Sequence, residues 1–304
     1  MATDPTVLED LAPVIAFLQY VMNGLAAGSL YALVALGIVL LYRCSRVLNF
    51  AHGELATLGV FLAFSGLSRG WPYPLALATG LAGAAVVSGA LYWILVRPVR
   101  QGTALGVLIT TLGCALFLSG LVVWAWGTDT KVFPFPLSET RVFRLGGVVV
   151  SELTAGSLAV ALALVAGLSF VVQKTILGLA MRAVAQNPTA AQLLGVPTGR
   201  VLAATWAVAG ALGAAAGMLL APAVLLDPFM MLDPFLKGFA AAVLGGLESL
   251  PGAVVGGVVL GVAESLFAGY VSIKYKATLS FVVIVGVLLV RPEGVLGRPF
   301  HRRV

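Results

Sequence analysis

Apolar runs of about twenty residues, ended by arginine, glycine or proline, recur along the chain from Leu11 to Val290. A helix of about 20 apolar residues crosses the hydrocarbon core of a bilayer, and inside lipid every backbone polar group must be bonded within its own segment or a closed barrel. The alternating pattern of a membrane β-barrel, roughly ten residues per strand, is missing. The expected fold is therefore all-α, a polytopic transmembrane helical protein. Composition agrees: 60% of the 304 residues are hydrophobic and 10% are charged, where soluble domains carry about a quarter charged residues.

The first run, Leu11 to Tyr42, is read as one span preceded by an interfacial helical turn, with two spans as the alternative; Gly24 and Gly28 sit where it would bend or touch another helix closely. Val47 to Leu67, Pro74 to Val96 and Thr103 to Trp126 follow. A polar insert from Gly127 to Gly147 comes next, and within it Val142 to Leu145, Gly146-Gly147 and Val148 to Ser151 have the pattern of a β-hairpin about a two-residue turn. Gly147 to Val172 is the next span, with a strand-like start. After a polar loop come Val201 to Leu225, a break from Leu226 to Pro234, the short run Phe235 to Leu247, then Pro251 to Tyr270 and Ala277 to Val290. Phe235 to Leu247 is either a tilted span or a half-helix in the interior.

Counting it gives about nine spans, with eight or ten as alternatives. The net charge of +6 would suggest a polyanion partner in a soluble protein. Here the basic groups Arg43/Arg46, Arg97/Arg100, Lys174 to Arg200 and Arg291 to Arg303 fall on one side of the count, so they report orientation and no nucleic acid is expected. Arg69, Lys131, Arg141, Arg144, Lys274 and Lys276 are the exceptions. The expectation is an external N-terminus, a cytoplasmic C-terminus, an extracytoplasmic insert over residues 127–151 and a cytoplasmic loop over 173–200, in one domain spanning 1–304. The acidic start, Met1 to Pro13, lacks the basic region of a signal peptide. Cys44 and Cys114 have no metal-ligand or disulfide spacing and read as small buried hydrophobes.

The loop from Lys174 to Arg200 has cations but no acid and must be a surface. Asn187 suits a helix N-cap, Pro188 the first helical position, and Gly195 a left-handed stop. They bound a short helix, Pro188 to Leu194, in which Ala190, Leu193 and Leu194 form an apolar ridge for a partner groove. The plainer alternative is a solvated interhelix loop.

Ionisable groups inside membrane runs are costly and are candidates for function. Asn49, His52, Gly53 and Glu54 form the strongest cluster: an unwound backbone at Gly53 would turn His52 and Glu54 toward one polar pathway, whereas a regular helix would leave Asn49 as a cap and Glu54 on the helix dipole. Glu264 is the second candidate. Lys237 and Glu248 read as span-end residues that snorkel. The pairs Gly213/Gly217, Gly252/Gly256 and Gly257/Gly261 have the spacing of close helix contacts, within one subunit or between two. No nucleophile-base set, P-loop or metal cluster is present, so no enzyme activity and no bound metal or cofactor is expected.

Leu48 to Gly59 (LNFAHGELATLG), Leu177 to Val201 (LGLAMRAVAQNPTAAQLLGVPTGRV), Lys237 to Leu266 (KGFAAAVLGGLESLPGAVVGGVVLGVAESL) and Leu288 to Pro299 (LLVRPEGVLGRP), in this order, resemble the inner-membrane permeases of branched-chain amino acid ABC importers, the LivH type. The resemblance covers most of the chain from Asn23 onward. It implies a second, LivM-like permease as heterodimer partner, two cytoplasmic ATPase subunits that use ATP and Mg, and an extracytoplasmic substrate-binding protein, in a bacterial inner membrane. It also implies that Arg182, Asn187, Pro188, Ala190, Ala191, Leu193, Leu194 and Gly195 belong to an ATPase-coupling segment. The acidic extension before Pro13 and Cys44-Ser45-Arg46 depart from the family pattern. Import of urea or short amides is the close variant; a stand-alone secondary transporter or channel, relying on His52, Glu54 and Glu264, is the reading from another class.

Overall fold

A computed structural model describes residues 5–99, 103–138, 140–145, 147–291 and 293–297. The expectations involving Arg100, Glu139, Gly146, the chain before Pro5 and the tail from Arg298 to Arg303 lie outside these residues. The described helices are α1 (Pro5–Ser45), α2 (His52–Ser68), α3 (Tyr73–Leu91), α4 (Arg97–Val99), α5 (Ala104–Trp126), α6 (Glu152–Lys174), α7 (Ile176–Gln186), α8 (Pro188–Leu193), α9 (Thr198–Val224), α10 (Leu232–Gly245), α11 (Leu250–Tyr270) and α12 (Lys276–Val290), with one hairpin of β1 (Val142–Leu145) and β2 (Val148–Ser151). A π-helical turn, Tyr92–Val96, joins α3 to α4. Six of the described helical segments are long and apolar enough to cross a membrane alone.

The first apolar run is a single helix of 41 residues, about 60 Å long and twice the thickness of a hydrocarbon core. Gly24 and Gly28 serve close contact. A Cβ at Gly24 would stand 2.6 Å from the Val262 backbone of α11, and one at Gly28 2.7 Å from the Gly257 carbonyl. The glycine pairs of α11 divide their work: Gly257 and Gly261 meet α1 at Ala32 and Gly28, while Gly252 and Gly256 meet α10 at Gly245 and Ala241. Backbones approach this closely only where side chains are absent, and the gain is dispersion contact that lipid does not supply as well.

Two helices begin late or run short. α2 starts at His52 rather than near Val47, and α10 has 14 residues, about 21 Å. The chain around α10 still joins opposite ends of the bundle. At one end Leu226 and Lys131 exchange backbone hydrogen bonds of 2.8 Å, beside the hairpin; at the other Glu248 pairs with Arg46. α2 starts inside the molecule, where the His52 ring meets Gly37, eight positions or about 12 Å up α1 from Ser45.

The hairpin has the expected register, with Leu145 opposite Val148, and Gly147 has φ 93°. The span after it starts later than Gly147: Ser151 ends β2 and also caps α6, accepting from Thr154 N–H at 3.1 Å. The Gln19 side chain of α1 completes the strand edge, donating to Val149 O and accepting from Val149 N–H, both at 2.8 Å.

Candidate functional site

The cluster from Asn49 to Glu54 straddles the start of α2. Asn49 Oδ1 accepts from Ala51 N–H at 3.0 Å, a local turn of the kind asparagine favours, and the N-cap position itself falls to Ala51, which supplies no side-chain cap. Gly53 is helical, so of the two alternatives there the regular helix holds; the i to i+4 bond from Leu55 N–H to Ala51 O is already formed at 2.9 Å. Two positions on a helix differ by about 200° in direction. The structure accordingly separates His52 from Glu54.

The His52 ring is fully buried against α1 and α9, where a Cβ on Gly37 would come within 2.5 Å of it and one on Gly213 within 3.1 Å. Phe235 of α10 lies 6.5 Å from it, ring centre to ring centre. Among the described residues neither ring nitrogen of His52 has a hydrogen-bond partner, nor does Nδ2 of Asn49. Leaving a buried polar group unpaired costs about 1–3 kcal/mol, a cost carried here by the packing of three helices. Glu54 is half-buried, and its Oε2 also has no hydrogen-bond partner among the described residues.

A second polar group lies between α1, α10 and α11. Lys237 Nζ stands 2.8 Å from Glu264 Oε1 and 2.8 Å from Asp233 Oδ2, and Tyr31 donates its hydroxyl to Glu264 Oε2 at 2.7 Å. The Lys237 and Glu264 side chains are 9% and 1% exposed, whereas Asp233 is 62% exposed. Glu264 is fourteen positions above Leu250, about 21 Å along α11. The snorkelling expected of Lys237 is thus corrected. A Cβ on Gly238 would meet Val34 at 2.4 Å, and that close seating of α10 on α1 holds the lysine inside, where a carboxylate must neutralise it. Glu248 does lie at a helix junction, half-exposed, paired with Arg46.

The third group is the polar loop. α7 was not expected as a separate helix. It begins at Thr175, which ends α6 and caps α7, accepting from Gly178 N–H at 3.1 Å; a Cβ on Gly178 would strike the Val171 and Val172 carbonyls at 2.3 Å. α8 follows after a single residue. Asn187 Oδ1 accepts from Ala190 N–H at 3.0 Å, Pro188 opens the helix, and Gly195 closes it with φ 84° while Val196 N–H returns to Ala191 O at 3.0 Å. The helix ends at Leu193, one residue earlier than read. Ala191 is buried, and the ridge opposite it is bare: Ala190 is exposed, Leu193 is 84% exposed and Leu194 85%. Arg182 of α7 donates to Val172 O in the last turns of α6.

Six described helices long and apolar enough to cross a bilayer, polar groups buried among them and a capped apolar turn outside them define a multi-pass membrane protein. The chain belongs to the family described as "Branched-chain amino acid transport system / permease component", whose model matches residues 20–288. It is 35% identical over 307 residues to the high-affinity branched-chain amino acid transport system permease protein LivH of Escherichia coli K12, covering 95% of this chain and 98% of that one. It is 34% identical over 304 residues to BraD of Pseudomonas aeruginosa, with the same coverage. A LivH-named protein of Methanocaldococcus jannaschii is 28% identical over 286 residues, covering 88% of this chain and 89% of that one.

Proposed function

We propose that the chain is the LivH-type membrane-crossing subunit of an ATP-driven importer of branched-chain amino acids. The observation that carries this reading is α8: a capped helix that leaves Leu193 and Leu194 bare, beyond the ends of the membrane helices. Exposed leucines on a rigid turn suit the groove of a protein partner. In this reading two ATPase subunits dock there and supply the ATP and Mg chemistry, and this chain binds neither. Asn187, Pro188, Gly195 and the buried Ala191 shape the turn; Ala190, Leu193 and Leu194 make the contact; Arg182 braces α7 behind it. A LivM-like permease completes the pathway, and an extracytoplasmic binding protein delivers the substrate on the hairpin side, residues 127–151. The membrane is a bacterial inner membrane, with the N-terminus outside and residues 173–200 in the cytoplasm.

The pathway is assigned to the start of α2, where Asn49 and His52 keep unpaired polar atoms beside Gly53. Glu54 and Glu264 border it from other sides. The test uses the complex reconstituted in vesicles. Ala190→Asp with Leu193→Asp abolishes ATP-dependent leucine uptake while the melting temperature of the chain stays within a few degrees; uptake at the parent rate removes the coupling role. Uptake of urea in place of leucine moves the substrate assignment, and uptake by the chain without ATPase subunits replaces the reading with a self-sufficient carrier.

A further inference from the structure

A cavity of about 510 Å³ opens at the arginine-bearing end of the bundle. Its charged lining comes from three places far apart in sequence: Arg43 and Arg46 at the end of α1, Arg182 of α7, and Glu248 in the junction before α11. Among the described residues three guanidinium groups therefore face one carboxylate, and that carboxylate is already paired with Arg46. Neither Arg43 nor Arg182 forms an ion pair among the described residues. The bond from Arg182 to Val172 O fixes one guanidinium at the wall. Ser249, Leu250 and Pro251 also line the cavity, so the positive end of the α11 dipole adds to the field.

The height of the cavity identifies what it meets. α11 has 21 residues, about 31 Å, which matches the roughly 30 Å of hydrocarbon core. Its first turn consequently sits at the level of lipid headgroups. Planar guanidinium groups bind phosphate oxygens two at a time. Behind the cavity the space between Leu40, Cys44, Val172 and Met181 shrinks to about 10 Å³, too little for an acyl chain, so the tails of any bound lipid stay outside.

We propose that this cavity binds the phosphate of an anionic phospholipid headgroup, held by Arg43 and Arg182 with Arg46 at the rim. The proposal does not depend on which substrate is transported.

The test measures retention of phosphatidylglycerol and phosphatidylcholine by the purified full chain in detergent, by native mass spectrometry, with inorganic phosphate as competitor. The expected result is preferential retention of phosphatidylglycerol, reduced about fivefold by each of Arg43→Gln and Arg182→Gln, while millimolar inorganic phosphate leaves it bound. The preference in the parent chain needs no variant, and a melting curve separates lost binding from lost fold. Equal retention of the two lipids, or variants that fold and bind like the parent, overturns the proposal. Displacement by inorganic phosphate reassigns the site to a free anion. Variants that keep the lipid but shed the ATPase subunits from the assembled complex give the surface to a protein partner.

Discussion

Asn187 and Asn49 each precede a helix, and they do opposite things. Asn187 caps α8 with its side chain and leaves the helix facing outward. Asn49 turns its carbonyl to Ala51, buries its amide nitrogen without a partner, and leaves α2 uncapped. Every bond that shapes the first is made within about two turns of chain. The second is shaped by α1, α9 and α10, which arrive from residues 30 to 240 and force a polar cluster inside. The contrast extends to the whole molecule: its outer turns obey local rules, while its buried polar groups are placed by tertiary packing.

The sharpest way to break this contrast is to remove a charge from the interior. Lys237→Ala leaves Glu264 buried without its ammonium and should cost about 3–5 kcal/mol, seen as a lower melting temperature of the purified chain in detergent. Replacing both partners together, Lys237→Met with Glu264→Leu, should recover most of that loss. If the double replacement melts as low as the single one, the pair is not what α10 depends on. Next in size is Gly257→Leu, whose side chain would meet the Ala32 backbone of α1 and should cost about 1–3 kcal/mol by overpacking; an unchanged melting curve would mean that α1 and α11 separate freely. The smallest effect belongs to the outer turn. Asn187→Ala should destabilise α8 by about 1 kcal/mol, with faster amide exchange at residues 188–196 and little change elsewhere. Loss of protection in α2 as well would join the two regions that the comparison separates.

The outer turns were legible in the sequence for the same reason. Asn187, Pro188 and Gly195 mark α8 to within one residue, and the hairpin register follows from where its apolar residues and Gly146-Gly147 stand. The α7 start escaped the sequence reading: Thr175 can cap a helix, but Gly178 stands where a capping box would have Glu or Gln. The interior was less legible. Glu264 stood out because a carboxylate in an apolar run is expensive, yet Tyr31 gave no sign of being its donor. Lys237 looked like a span end only because α10 was begun at Phe235 instead of Leu232, placing the lysine within three residues of a terminus. At Gly53 an unwound backbone and a regular helix are both open from sequence, because no local residue decides between them; the break in the chain falls at residues 46–51, where Arg46 takes φ 57°.

Ser151 and Thr175 stand at the two ends of α6, and each belongs to two elements at once: Ser151 to β2 and α6, Thr175 to α6 and α7. Between the hairpin and the helix that leads into α8 there is no length of loose chain to take up movement. α6 is in effect a rod with a joint one residue wide at each end. A displacement at the α7 end of α6 would be delivered, with little lost to slack, to its other end, where Gln19 clasps the hairpin to α1.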